Sequence, residues 1–456
     1  MTETSPMIRR MTPQPSIRLA FILLSLALLT GISTPHLAAQ ESSAATFAGV
    51  LAYSGCDGNL YLLEGPDSPP VPLTHDAVRG LRSYTWPTWS TDGRLAYFSQ
   101  EVARLEGEQS ILLRIYIREP DATESVLAYE SDAETFTYAY WAPANCPIDG
   151  DCRDLAVLVS SRQGLGVLRV RDRHPDFDVR RIGLGQPFYY SYAPDASQML
   201  WLRFGTQIEV YDTARERIVE RLPDTAGIFQ APMWSPVDNR LLFSVISAEG
   251  EHNLVVAEGE DRQIIASNLR GTLWFAWSPN GEYIAYKEDL GPLHVVDSRT
   301  GDRVAISSSA PVVAFFWAPD SDKIAYLTLP DRNPEDTQVS LPGTKLAAPA
   351  RQNGLLSLTW NVLHVTSGIR QSAAQGFVPT REMFYLVAYF DQFAQSHRLW
   401  SPDSRYLAYG ELTEDSNTFV NVLDTTQPNL PTQQVAEGRI GVWSFHSRDE
   451  SPSEPE

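Results

Sequence analysis

Basic residues are scarce in this chain of 456 residues, and the scarcity argues against one class of partner. Lys and Arg together number 36 against 56 Asp and Glu, which gives a formal net charge of −20. Such a charge repels phosphate backbones and anionic lipid headgroups. Outside the extreme N-terminus the sequence has no cluster of Lys and Arg. We therefore expect no nucleic-acid partner.

Catalytic and metal-binding motifs are also missing. The sequence has no G-x-S-x-G, which presents the nucleophile of α/β-hydrolases, no H-x-H or H-E-x-x-H, and no C-x-x-C. Asp149, Asp151 and Asp154 offer the oxygen ligands that calcium prefers. Their loop lacks the alternate-residue ligand pattern, so we interpret it as a solvated acidic hairpin. We expect no metal, no cofactor and no catalytic residue.

One long apolar run is present, and it lies at the N-terminus. Residues 19–32 follow Arg9, Arg10 and Arg18 and precede the small residues of HLAAQ, which is the pattern of a secretory signal. We predict that residues 1–39 are a cleaved signal peptide, with an uncleaved anchor as the alternative. The 14 residues of the run are fewer than the roughly 20 of a spanning helix. We expect a bacterial protein exported to the periplasm, the cell surface or the medium, with no membrane span after cleavage.

Cysteine is rare, with three residues in the chain. Cys146 and Cys152 stand in NCPIDGDC, where Pro147 and Gly150 favour a tight turn that can bring the two sulfur atoms together. In an oxidising compartment we expect a disulfide between them. Cys56 is left over, and we interpret it as a small buried hydrophobic residue rather than a reactive thiol.

What the sequence does have is a repeated turn, as in WSPNGEYIAY, WAPDSDKIAY and WSPDSRYLAY. An aromatic anchor precedes each turn, and the anchors are Trp89, Trp141, Tyr192, Trp234, Trp277, Trp317 and Trp400. Their spacings are 52, 51, 42, 43, 40 and 83 residues. Five spacings near 40 to 50 are typical of a β-propeller with one four-stranded sheet per repeat.

The composition of the turn explains why it recurs. Pro fixes φ early in a type I turn, Asp or Asn bonds its own backbone, and Gly281 supplies a positive φ. Nearly all-apolar segments such as LWFAW precede the turn and strand formers such as YIAY follow it. We interpret the turn as architecture, and we expect the anchors to pack between neighbouring sheets.

The units W-[SA]-P-[DN]-[GS]-x-x-[IL]-A-[YF] resemble the WD40-like repeats of TolB-type β-propellers over residues 47–445. The resemblance implies an all-β repeat protein. It implies little about activity, because the family includes binding modules, scaffolds and propeller domains attached to peptidases.

The two ends of the repeat region complement each other. The first unit, 49–65, lacks an innermost strand, whereas the final segment, 439–445, supplies one and nothing after it. Joining them closes a ring and removes exposed sheet edges. We therefore predict one propeller domain at 40–446, of about eight four-stranded blades (alternatively seven), closed by the C-terminal strand. A long loop insertion is predicted at 328–354 and a disordered acidic tail at 447–456.

One polar cluster precedes an innermost strand, whose side chains can reach the central channel of a propeller. It consists of Asp391, Gln392, Ser396, His397 and Arg398. These groups can bind a polar ligand or, in combination, perform acid–base chemistry. The alternative is that they hydrogen-bond neighbouring backbone and fix the insertion. A set of aromatic residues is interpreted as core between blades rather than as a sugar-stacking platform: Tyr189, Tyr190, Trp274, Phe275, Phe315 and Phe316.

Two functions stay open at this point. The first is an exported, monomeric, non-catalytic module that binds a protein, a peptide or an envelope component. The second is a propeller enzyme that acts on glycans or another polar polymer through carboxylates in the channel. Sequence spacing cannot place carboxylates of different blades relative to one another, so it does not separate the two.

Overall fold

A computed structural model of the chain describes residues 46–105, 108–147, 150, 152–227, 230–247, 250–307, 311–330, 351–352 and 355–447. The predicted signal peptide, most of the predicted insertion and nearly all of the predicted tail lie outside these residues. Within them, no helix has the length and apolar character needed to cross a membrane.

Antiparallel β-strands make up nearly all of the described fold. The first described strands are β1 (Leu51–Gly55), β2 (Leu60–Leu63) and β3 (Val71–Pro72). Two four-stranded sheets follow: β4 (Arg82–Trp89), β5 (Leu95–Leu105), β6 (Glu108–Arg118) and β7 (Val126–Ser131), then β8 (Glu134–Trp141), β9 (Arg153–Ser161), β10 (Gly164–Arg173) and β11 (Asp176–Gly185).

Three further four-stranded sheets continue the series. They are β12 (Phe188–Tyr192), β13 (Gln198–Arg203), β14 (Gln207–Asp212) and β15 (Arg217–Thr225); β16 (Met233–Trp234), β17 (Leu241–Ile246), β18 (His252–Glu258) and β19 (Asp261–Leu269); and β20 (Leu273–Trp277), β21 (Tyr283–Glu288), β22 (His294–Asp297) and β23 (Arg303–Ile306).

One sheet occupies the long gap between the anchors Trp317 and Trp400. It contains β24 (Val312–Trp317), β25 (Lys323–Thr328), β28 (Thr359–His364) and β29 (Arg370–Ser372). The two-stranded sheet of β26 (Arg351–Gln352) and β27 (Leu355–Leu356) is inserted between its second and third strands.

Two short helices come next, although the sequence shows no sustained helical periodicity. They are α1 (Arg381–Ala388) and α2 (Phe390–Phe393). Thr380 caps α1, because its hydroxyl accepts a hydrogen bond from the backbone N–H of Met383 at 3.1 Å. The last described strands are β30 (Tyr406–Leu412), β31 (Thr418–Asp424) and β32 (Thr432–Trp443).

The predicted count of eight four-stranded blades is wrong, and the alternative count of seven agrees with the structure. The described residues form six four-stranded blade sheets and one six-stranded sheet in the order β3-β2-β1-β32-β31-β30. The reason is that β32 is continuous and serves two units. Its first half pairs with β31, from Leu423↔Thr432 to Phe419↔Glu437, and its second half pairs with β1, from Gly55↔Gly438 to Leu51↔Trp443.

The repeated turn has the predicted chemistry. Gly281 has a φ of +70°, and the side-chain oxygen of Asn280 accepts a hydrogen bond from the backbone N–H of Glu282 at 3.1 Å. One feature of the turn was not predicted. The hydroxyl of Ser278 accepts from the N–H of Tyr283 at 2.9 Å and lies 2.7 Å from Asn280 Oδ1. The Ser between anchor and Pro therefore closes the turn.

Hydrogen bonds join the turns of neighbouring sheets. In each case a serine with a positive φ in one turn accepts a backbone N–H from the turn of the preceding sheet. Ser321 Oγ accepts the backbone N–H of Asn280 at 3.0 Å, and Ser404 Oγ accepts the N–H of Asp320 at 2.9 Å. Both serines tolerate a positive φ, of 61° and 57°, which is uncommon for residues other than Gly. Each of these bonds links one blade to the next at the same end of the molecule.

The three cysteines differ from one another in environment. The sulfur atoms of Cys146 and Cys152 lie 1.98 Å apart, as a disulfide. Cys56 is exposed in the turn after β1, with its sulfur 3.2 Å from Thr418 Oγ1. The prediction of a buried Cys56 is therefore wrong, because the turn leaves the thiol at the surface.

Candidate functional site

The centre of the propeller is occupied by the segment 380–398, which we call the plug. Its Phe393 ring lies 4.9 Å from Trp86 of β4 and 5.1 Å from Tyr138 of β8, measured between ring centroids. Its Phe390 ring lies 5.0 Å from Phe315 of β24. Because the first strands of different blades surround a propeller's axis, contacts to several of them place the plug on that axis.

The predicted polar cluster lies on the plug, and Gln392 is its most completely bonded member. The side-chain amide of Gln392 donates to the carbonyl of Tyr190 at 2.9 Å, and its carbonyl oxygen accepts from the N–H of the same residue at 3.4 Å. The backbone carbonyl of Gln392 accepts from the hydroxyl of Tyr138 at 2.9 Å. Gln392 thus joins α2 to β8 and β12.

His397 lies in a buried chain of hydrogen bonds. Its Nδ1 is 2.7 Å from Ser396 Oγ, and its Nε2 is 3.1 Å from Thr88 Oγ1. Thr88 gives its own hydroxyl hydrogen to the carbonyl of Trp86, at 2.9 Å. The imidazole must then donate through Nε2 and accept from Ser396 at Nδ1. Burial lowers the pKa of His397 to about 3, so the ring is neutral at physiological pH.

Among the described residues, no contact joins the Asp391 carboxylate to the imidazole of His397. One carboxylate oxygen accepts from the N–H of Ala231 at 3.1 Å, and the other accepts from the N–H of Gln392 at 3.1 Å. Burial raises the pKa of Asp391 to about 6, against the opposing effects of these bonds and of Lys287. The structure therefore brings the five predicted residues onto one segment but does not pair Asp391 with His397.

Lys287 is a buried cation near this carboxylate that sequence reasoning missed. It is 1% exposed, and its Nζ lies 3.8 Å from the ring centroid of Trp274 and donates to the carbonyl of Asp289. Burial lowers the pKa of Lys287 to about 7. A lysine directly after the strand-forming run YIAY, in YIAYKE, was the available signal.

Arg398 ends the plug and has a different environment. Its backbone carbonyl accepts from the N–H of Trp443 at 2.8 Å, and its guanidinium carbon lies 3.9 Å from the ring centroid of Phe445. Among the described residues no carboxylate pairs with it. Burial lowers the pKa of Arg398 to about 10, which still leaves it charged at neutral pH.

A cavity of about 380 Å³ opens at the end of the channel where the repeated turns lie. We call it the anchor-side cavity, because all seven anchors line it: Trp89, Trp141, Tyr192, Trp234, Trp277, Trp317 and Trp400. Plug residues Ala394, Gln395, His397 and Arg398 also contribute to its lining. The anchors were expected to pack between sheets, and they additionally form this cavity.

A second cavity, of about 590 Å³, lies at the beginnings of the innermost strands, and we call it the opposite cavity. Tyr189 and Trp274 line it together with Tyr385, Tyr389 and Asp391 of the plug. The other aromatic residues that were assigned to the core, Tyr190, Phe275, Phe315 and Phe316, are buried, and Phe315 and Phe316 also contribute to the lining of the anchor-side cavity.

Two acidic groups outside the channel have cationic side chains as partners. Asp154 forms a two-pronged ion pair with Arg171, at 2.8 and 2.9 Å, while Asp149 and Asp151 lie outside the described residues. Ligand atoms of Glu119, Asp172 and His174 lie within 4.8 Å of one another. Arg94 Nε lies 3.1 Å from Glu119 and 3.2 Å from Asp172, so a guanidinium already supplies the positive charge there.

The comparisons with known proteins support the fold and leave the activity open. No model of a known protein family matches the chain, and no curated protein does. A crystal structure of a eukaryotic initiation factor is 11% identical, with 87% of this chain and 98% of that one covered at a TM-score of 0.50.

Two solved oligogalacturonate lyases have lower TM-scores. The enzyme from Vibrio parahaemolyticus is 10% identical, with 78% of this chain and 87% of that one covered at a TM-score of 0.45. An oligogalacturonate lyase in complex with manganese is 12% identical, with 76% and 86% covered at 0.43. At such identities a likeness carries nothing about activity. The sheet order and the initiation-factor comparison together show a β-propeller.

Proposed function

We propose that this chain is an exported β-propeller of the TolB type that binds a protein, a peptide or an envelope component without catalysing a reaction. The observation that carries the proposal is the filled channel. Gln392, Ser396 and His397 have hydrogen-bond partners within the protein, and Asp391 accepts two backbone N–H groups. This arrangement favours a structural role for the plug and leaves recognition to the two ends of the channel.

The alternative is a propeller enzyme that acts on glycans or another polar polymer. Most glycosidases use two carboxyl groups roughly 5 to 10 Å apart. Among the described residues that line the two cavities, Asp391 is the only carboxylate. This composition favours the binding function over the enzyme.

We also propose that β32 closes the ring. Its pairing with β1 over Leu51↔Trp443 to Gly55↔Gly438 supports this role, because it joins the last part of the chain to the first. Closing the ring covers the strand edges that an open first blade would expose, which agrees with the monomeric state that we expect.

A retention experiment with a cavity-filling control tests the binding function. The chain from residue 40 is immobilised and exposed to envelope extract of its host, beside a Gln395→Trp variant that fills the anchor-side cavity. We expect a partner that the wild type retains and the variant loses, while both unfold at similar temperatures.

A substrate screen tests the alternative. The wild type and an Asp391→Ala, His397→Ala double variant are incubated with glycan, peptide and phosphoester substrates. We expect no turnover. Turnover by the wild type that disappears in a folded double variant would establish the enzyme instead.

A further inference from the structure

The lining of the anchor-side cavity has a single charge. Among its described residues Arg398 is the only ionised side chain, and no carboxylate is present. The remaining wall consists largely of the aromatic anchors and of five prolines: Pro143, Pro194, Pro236, Pro279 and Pro319. The whole chain has a formal net charge of −20. The charge of this cavity, with one cation and no anion, is therefore opposite in sign to that of the chain.

Arg398 differs from the arginines that are buried in the same fold. Arg153, Arg169, Arg171 and Arg240 are each at most 6% exposed, and each has a carboxylate partner: Asp92 at 2.9 Å, Asp178 at 2.5 Å, Asp154 at 2.8 Å and Asp238 at 2.9 Å respectively. Burying a charge without a partner is costly. Arg398 is half-buried with no carboxylate partner among the described residues, so an unpaired cation lies in the lining of an open cavity.

The position of Arg398 is fixed although its charge is unpaired. The face of Phe445 lies against the guanidinium at 3.9 Å, and the N–H of Trp443 binds the backbone carbonyl at 2.8 Å. A guanidinium presents a fork of N–H donors that matches a carboxylate. The surrounding indole and proline surfaces offer apolar contact to whatever group carries the anion.

We propose that the anchor-side cavity binds a carboxylate that is attached to an aromatic or aliphatic body, with Arg398 as the anion-binding residue. This inference rests on the proposed binding function and specifies the ligand chemistry of the same site. A volume of about 380 Å³ is near the low end of small-molecule sites. It accommodates one large side chain with its carboxylate, either as a free acid or as the C-terminal residue of a peptide.

The test compares acids with their uncharged amides. The probes are N-acetyl-tryptophan, N-acetyl-Gly-Gly-Phe and the corresponding C-terminal amides, titrated into the chain from residue 40 by calorimetry. Because charge-assisted hydrogen bonds are among the stronger ones, we expect each bound acid to be preferred over its amide by at least about tenfold. Preference for the peptide acid over the free acid identifies a peptide terminus as the source, and the reverse identifies a small acid.

Arg398→Met is the decisive variant, because it keeps an apolar stem against Phe445 and removes the charge. We expect the preference for acid over amide to fall to about twofold or less. Arg398→Lys keeps the charge and should retain part of the preference, which guards against a variant that fails to fold. Arg405→Met is the matched control: Arg405 pairs with Asp424 at 2.9 Å, away from the cavity, and its loss should leave the preference unchanged.

The outcomes separate this inference from the proposed function. Equal affinity for acid and amide, or a preference that survives in Arg398→Met, overturns the role of Arg398. If no probe binds while the envelope extract still yields a partner that Gln395→Trp loses, the carboxylate chemistry is wrong and the binding function stands. If neither probe nor partner binds, both proposals fail.

Discussion

The imidazole of His397 lies 3.1 Å from the hydroxyl of Thr88, although 309 residues separate them in the chain. Both residues are at most 1% exposed. The bond joins the plug to the innermost strand of the first complete four-stranded sheet. A buried polar pair of this kind is costly to break, because each partner keeps its desolvation penalty when the other is lost.

Replacing Thr88 by Val should therefore destabilise the protein without changing the size of the side chain. We expect the free energy of unfolding to fall by about 1–3 kcal/mol, since Nε2–H of His397 then has no acceptor. Denaturant unfolding measures the change. Thr85→Val, at a half-buried position of the same strand, should cost much less, and equal losses in the two variants would contradict the importance of the bond.

The pH dependence of stability should show the neutral state of His397. Its pKa in the folded protein is about 3, below the roughly 6.5 of an unfolded chain. Folding is therefore opposed increasingly as the pH falls from about 6.5 toward 3. His397→Gln should lose less stability than the wild type between pH 6.5 and 4. Parallel curves for the two proteins would show that the imidazole does not titrate in this way.

Lys287 and Asp391 should each make the free energy of unfolding depend on pH, but over different pH ranges. Burial lowers the pKa of Lys287 to about 7 from its ordinary 10.5, so its contribution to stability declines as the pH falls from 10.5 to 7. The pKa of Asp391 is raised to about 6 from 3.8, so its contribution declines as the pH rises from about 4 through 6.

Single substitutions separate these two effects. Relative to wild type, Lys287→Met should gain stability as the pH falls from 10 to 7, and Asp391→Asn should gain as the pH rises from 4 to 7. Urea unfolding at five pH values provides the measurement. The same slope for both variants would show that the two groups do not titrate independently in the fold.

The sequence made the blades predictable because their signal is repeated and local. Anchor spacing, turn residues such as Asn280 and strand formers such as YIAY act within about ten residues of one another. The plug was not predictable in the same way. α1 has only eight residues, and its amphipathic character is directed toward a channel that exists only after several blades have assembled.

Some signals of the plug were nevertheless present. Thr380 is a favoured N-cap residue, and Glu382 follows in the first turn, where acidic residues stabilise a helix. The number of blades could not be predicted from local sequence patterns. A strand that ends one unit and begins another, as β32 does, looks in sequence like a single terminal segment.

Truncation tests the proposed ring closure. Deleting residues 439–456 removes most of the part of β32 that pairs with β1 and exposes the edges of two groups of strands. We expect aggregation and a large loss of thermal stability, because free edges pair with other chains. Deleting only 447–456 should change little. Equal melting temperatures for the two truncations would show that β32 does not close the ring.

Gly410 tests how closely the plug approaches the terminal strand. A Cβ at this position would lie 1.8 Å from the carbonyl oxygen of Arg439 and 2.6 Å from the hydroxyl of Thr380. That hydroxyl also donates to Arg439 O at 2.5 Å, so the helix cap and β32 are fixed to each other at one point.

Gly410→Ala should therefore be severely destabilising, because backbone rather than a flexible side chain must move. We expect a loss of more than about 3 kcal/mol in the free energy of unfolding, which lies above the common range for a single substitution. Gly150→Ala is the matched control, since a Cβ there meets nothing within 4 Å. Denaturant unfolding of both variants decides the matter. A Gly410→Ala protein as stable as the control would mean that the start of the plug can move away from β32.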